Sequence, residues 1–101
     1  MGDPRIEAYA RLLVERCIDV KPGWQVMVAS SPLARPLVEE IIRLIARRAA
    51  YALPRLTWSS TALAWGAEAP EELLPQLAPI DRHAYERIDA HIMNQRAGKH
   101  P

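Results

Sequence analysis

The sequence predicts an α/β fold: a small, three-layer-like βαβ domain whose short, mostly parallel sheet is flanked by helices. Residues 24–30 (Trp-Gln-Val-Met-Val-Ala-Ser) are a short apolar run rich in β-formers, and residues 53–58 (Leu-Pro-Arg-Leu-Thr-Trp) are a second. Between them Leu37, Val38, Ile41, Ile42, Leu44, Ile45 and Ala49 recur at spacings of three and four, with Glu39, Glu40, Arg43 and Arg47 on the opposite side. That is the period of an amphipathic helix. Two strands joined by a helix this long pair in parallel through a right-handed crossover, and the helix covers one sheet face.

The first element is a helix as well. Ile6, Tyr9, Ala10, Leu13, Val14, Cys17 and Ile18 form its apolar stripe, while Arg5, Glu7, Arg11, Glu15, Arg16 and Asp19 take the other side. Asp3 suits the N-cap and Pro4 the first helical position. Cys17 lies on the stripe with no histidine near it in sequence, so it is expected as a small buried hydrophobe rather than a reactive thiol. Val20-Lys-Pro-Gly23 ends the helix, with Pro22 and Gly23 at the centre of a type II turn.

After the first strand, Pro36 must sit in the first turn of the second helix, because deeper in it would break the ladder. Glu39 and Arg43 form an expected i,i+4 pair. Arg43, Arg47 and Arg48 read as a solvated helix end more than as a phosphate grip. Trp65 belongs to a core or an interface. Residues 70–75 read as a short helix with Pro70 at its first position, and Asp81 as the N-cap of a further turn over residues 82–87. Residues 88–93 (Ile-Asp-Ala-His-Ile-Met) predict a third short strand, parallel to the others, and residues 94–101 a frayed polar tail.

At 101 residues the chain, residues 1–101, is one domain. Half the residues are hydrophobic and the net charge is +1, so no footprint for nucleic acid or an anionic membrane is present. No apolar run nears the ~20 residues of a membrane span, and no signal core follows the N-terminus. A single cysteine excludes an internal disulfide and fits a reducing cytoplasm.

No catalytic motif stands out. A phosphate-binding loop needs glycines, and Ser30-Ser-Pro-Leu-Ala-Arg-Pro36 has none. Ser30, Ser31, Ser59 and Ser60 nonetheless fall at the carboxyl ends of two parallel strands, where ligands of open α/β sheets bind. They are the candidate ligand crevice, weighed against a role in caps and turns. His83 and Glu86 share a helical face, which is half a metal site without a second half. No catalytic residue and no metal ligand is therefore assigned.

Tyr9-Ala-Arg-Leu-Leu-Val-Glu15, Cys17, Asp19-Val-Lys-Pro-Gly23, Val26-Met-Val28, Pro36-Leu-Val-Glu39, Arg47-Arg-Ala-Ala50, Pro70-Glu-Glu-Leu-Leu74 and Asp89-Ala90 occur in this order. Together they resemble the opening of M29-family metalloaminopeptidases, the aminopeptidase T and S group, over residues 5–93. The resemblance implies an N-terminal α/β domain that helps enclose the active-site cavity and supports a dimer. It also implies paired divalent ions, zinc or cobalt, held by glutamate, histidine and aspartate of a later part that this sequence lacks. No cofactor is thus expected in this chain, which alone is predicted inactive. Its expected partner is a second copy or a C-terminal catalytic domain. The end at Gly98-Lys-His-Pro101 points to a truncated product or a split gene. Ala49 departs from the family, which tends to place glycine there. The rival reading is a small α/β module for ligand binding or self-assembly.

Overall fold

The computed structural model describes residues 3–93 and 96–99. Helix α1, Pro4–Arg11, starts as the sequence predicts: Pro4 occupies the first turn and the Asp3 carboxylate accepts the Arg5 N–H at 2.8 Å. Its continuation, Leu12–Cys17, is π-helical. Ile18 N–H reaches back to the Leu13 carbonyl at 3.3 Å, five residues away. A turn closed by i→i+5 bonds takes more residues than the 3.6 of an α-helix, so the apolar stripe rotates. Ala10, Leu13, Val14 and Ile18 are buried, and Cys17 is swung into solvent. The expectation of a buried Cys17 is therefore corrected, and the extra residue in the turn is the cause.

Pro22 and Gly23 form the expected turn: Gly23 has φ +83° and Trp24 N–H donates to the Lys21 carbonyl at 3.2 Å. Strand β1, Gln25–Ser30, follows. A 3₁₀ turn at Pro32–Ala34 leads into α2, Arg35–Arg47, with Pro36 in its first turn. Leu37, Val38, Ile41, Leu44 and Ile45 are its buried stripe. The predicted Glu39–Arg43 pair does not form. Glu39 binds Arg35 at 3.2 Å instead, and Arg43 binds Glu40 at 2.9 Å. All are exposed or near the surface, so each pair is worth only about 0.3–0.5 kcal/mol.

Ala49 explains the departure from the family pattern. It has φ +59°, the left-handed region. Ala50 N–H donates to the Ile45 carbonyl at 3.2 Å and Ala49 N–H to the Ala46 carbonyl at 2.9 Å. These two bonds are a Schellman ending, whose left-handed residue is usually glycine. An L-residue there costs about 1–2 kcal/mol, partly offset by glycine's greater unfolded freedom. Ala49→Gly is therefore expected to stabilise the chain by about 0.5–1 kcal/mol, read as a rise of several degrees in Tm by calorimetry.

Strand β2, Tyr51–Leu56, pairs in parallel with β1, and β3, Ala90–Met93, pairs in parallel on β1's other side. Strand β4, Arg96–Lys99, pairs antiparallel with β3, giving the order β2-β1-β3-β4. The tail expected to fray thus supplies an edge strand; residues 94, 95, 100 and 101 lie outside the described residues. Pro54, which lacks an N–H, sits in the edge strand β2, where such a residue is tolerated.

Val26, Val28, Ala90 and Ile92 pack with the stripes of α1 and α2 into one core, on one face of the sheet. Met27, Ala29, Leu53, Arg55, His91 and Met93 share the other face by register. His91 lies flat against β4: a Cβ on Gly98 would be 3.0 Å from its Nε2. Helix α4, Pro79–Arg87, reaches this second face through an ion pair between Asp81 and Arg55. Helix α4 begins earlier than predicted, with Pro79 in its first turn and Asp81 inside the helix rather than capping it.

Between Ile45 and Ile88 no described side chain is buried. This stretch includes α3, Ser59–Glu68, a 3₁₀ turn at Glu71–Leu73, and α4. Pro70 caps the short turn from outside it. Residues 57–87 form an arm that leaves the main core. The radius of gyration is 15.0 Å, against about 13 Å for a compact chain of about 100 residues.

Candidate functional site

The four serines fall where their positions in sequence predict. Ser30 ends β1, Ser31 caps the 3₁₀ turn, and Ser59 and Ser60 open α3. Thr57 N–H donates to the Ser30 carbonyl at 2.9 Å, which brings the two pairs to the same end of the sheet. The Ser31 side chain does not bond the turn that it precedes. In α3 the bond to the Trp58 carbonyl comes from the Thr61 hydroxyl at 2.7 Å. Among the described residues, Ser30, Ser31 and Ser60 line none of the three concavities below.

The largest of these is a groove of about 870 Å³ between α3 and α4. Trp65, Leu73 and Leu77 give it an apolar floor, and Arg82, His83 and Glu86 stand along one wall. These α4 positions recur at three and four, so one helical face presents them together. Sequence reasoning singled out His83 and Glu86 but missed Arg82 and the floor. The missing signal was tertiary, since Trp65 and Leu77 meet only once α3 and α4 are placed. Trp65, left between core and interface by the sequence, is 53% exposed and outside the core.

A second concavity, about 560 Å³, opens at the amino ends of the strands and is lined by Lys21, Trp24, Arg87, Asp89 and Lys99 among others. Asp89 is committed to the sheet there: its carboxylate accepts Gln25 N–H at 2.8 Å, and its own N–H donates to the Gln25 carbonyl at 2.9 Å. A third, about 420 Å³, lies between the starts of α1 and α2.

The basic cluster at the end of α2 is largely spoken for. Arg43 holds Glu40, and Arg48 reaches Asp19 at 3.3 Å and the Val20 carbonyl at 3.4 Å. The hydrogen bond and charge of Lys21, with Arg48 adding to them, hold the Asp19 carboxyl below its usual range. This trio, with Arg48 half-buried, fastens the end of α1's π-helical continuation to the end of α2. It is a structural clamp, and it carries no substrate-binding geometry.

Among the described residues no group of three or more histidine, cysteine, aspartate or glutamate side chains converges as a metal would require. His83 and Glu86 share the groove wall, while Asp81, also at the groove, is turned to Arg55. The described residues thus gather no ligand set for a catalytic divalent ion.

A family model described as thermophilic metalloprotease (M29) matches residues 2–99. Among solved structures, the chain is similar to wild-type AmpT from Thermus thermophilus, with a TM-score of 0.60 and 24% sequence identity. The match covers 80% of this chain and 20% of that one, so the chain spans about a fifth of that relative's length. At that identity the likeness shows the fold. No curated protein matches.

Proposed function

The chain belongs to the M29 family of thermophilic metalloproteases, and from that premise we propose that it serves as the N-terminal, non-catalytic kind of domain of a metal-dependent aminopeptidase. Its contribution is scaffold, cavity wall or contact between subunits. The observation that carries this reading is the family match over residues 2–99 in a chain whose described residues gather no metal-ligand cluster. The reading leaves zinc or cobalt chemistry to side chains beyond those present here. Its partners are then a second copy or a C-terminal catalytic domain.

The reading places the chain in the cytoplasm. The single cysteine supports this, being exposed and free of any disulfide. No described helix is long and apolar enough to cross a membrane.

The test is hydrolysis of aminoacyl-p-nitroanilides by this chain, with Co²⁺ or Zn²⁺ added. The expected result is no release of p-nitroaniline above the metal-only control. Metal-dependent turnover that is lost on adding a chelator would overturn the assignment.

A further inference from the structure

The cavity at the amino ends of the strands is assembled from separate segments of the chain. Lys21 and Trp24 come from the turn before β1, and Glu86, Arg87 and Asp89 from the passage out of α4 into β3. Lys99 comes from the end of β4, where antiparallel pairing sets it beside Ala90. The volume is about 560 Å³, inside the roughly 300–1,000 Å³ of small-molecule sites.

The backing of the cavity is fixed. Gln25 donates its backbone N–H to the Asp89 carboxylate at 2.8 Å and accepts the Asp89 N–H at 2.9 Å. Its side-chain amide reaches the Arg87 carbonyl at 3.4 Å. The Trp24 carbonyl accepts the Tyr51 N–H at 2.7 Å, and Trp24 itself, half-buried, packs against the core. Backbone held in place before a ligand arrives lowers the ordering cost of binding.

The charges select the ligand. Lys21, Arg87 and Lys99 line the cavity against Glu86 and Asp89, so three cations face two carboxylates and the lining carries a net +1. The five are not equally available. Lys21 is paired with Asp19 at 2.6 Å, and Asp89 is engaged by Gln25. Glu86 lines the α3–α4 groove as well, which puts it on the ridge between the two concavities. Among the described residues, neither Arg87 nor Lys99 has a carboxylate partner. A guanidinium offers a planar fork to a carboxylate or phosphate, and an ammonium adds a point charge. The indole supplies a flat apolar surface for a ring.

We infer that this cavity binds a small aromatic acid, its ring against Trp24 and its carboxylate or phosphate shared by Arg87 and Lys99. The site stands whether or not the chain serves a peptidase, because no residue of the peptidase reading enters it.

A heteronuclear NMR titration of the whole chain tests it, read at the Trp24 indole N–H, which the Trp24→Phe spectrum identifies. 1-Naphthoate and phenyl phosphate should each bind with a Kd below about 1 mM, and the tighter of them names the acid group. Acetate and inorganic phosphate, which lack the ring, and benzyl alcohol, which lacks the charge, should each bind at least about tenfold more weakly. Arg87→Gln should weaken naphthoate binding about tenfold and Lys99→Gln about threefold. Both side chains are exposed, so far-UV circular dichroism should be unchanged. No shift with about 10 mM of either aromatic acid, shifts confined to Trp58 or Trp65, acetate as tight as naphthoate, or an Arg87→Gln chain binding as tightly as native would overturn the site. The comparison among ligands needs no variant, so it decides the matter by itself.

Discussion

Ile45→Ala is expected to destabilise the chain by about 3–4 kcal/mol. Ile45 is fully buried, at 0% exposure, in the single cluster between α2 and the sheet. Truncation removes three carbons' worth of buried contact and leaves a cavity that the surrounding cluster fills only in part. A domain of about 100 residues holds ~5–15 kcal/mol in all, and this one gathers its main core on one sheet face. The change should therefore lower Tm by more than ~10 °C. Ile80→Ala is the control. It removes the same atoms from a side chain 75% exposed on the arm, so the cost should stay within about 0.5 kcal/mol. Denaturant titrations of both at equal low concentration decide the matter. Equal losses would mean that the arm is part of the folding core.

The fold was legible wherever burial imposes a period. In α2 the spacing of Leu37, Val38, Ile41, Leu44 and Ile45 is the packing itself, and Pro36 marked the start because few other positions admit it. The parallel pairing of β1 with β2 and β3 followed from the connections between them. Cys17 misled because periodicity assumes 3.6 residues per turn, and one π-helical stretch breaks that assumption without a compositional sign. Strand β4 was missed because Arg96-Ala-Gly-Lys99 is a polar edge whose partner, β3, supplies the order. In α3 no single stripe exists to read: Leu63, Trp65, Ala62 and Ala67 are scattered around it, as suits a helix that packs weakly on its own chain.

The candidate site was less legible than the fold. Placing Ser30, Ser31, Ser59 and Ser60 at the strand ends required only topology, and the structure does put them there. What makes a site is convergence of side chains, and sequence spacing reports convergence only within one element. His83 and Glu86 were visible for that reason. Their companions Trp65, Leu73 and Leu77 come from other segments and were not. Asp89 shows the converse. It stands out as part of a family-like pattern, and its geometry gives it a structural task, bracing the start of β1.

Gly23→Val carries the second-largest expected loss, about 2 kcal/mol. Gly23 sits at φ +83°, the third position of the turn that feeds β1. A Cβ there would meet nothing within 4 Å, so steric crowding from neighbours is absent and the penalty is one of backbone conformation. An L-residue pays about 1–2 kcal/mol in this region, and a β-branched one sits at the upper end. The alternative, relaxing φ, would tilt the Gly23 N–H away from the Ala49 carbonyl, to which it donates at 2.8 Å. That bond joins the turn before β1 to the left-handed end of α2, so two strained backbone sites lean on each other. Gly23→Val and Ala49→Gly should consequently act with opposite sign, and their double variant should recover about a third of the loss. Equilibrium unfolding of the three variants would show it. A Gly23→Val chain as stable as native would mean that the turn is not of type II.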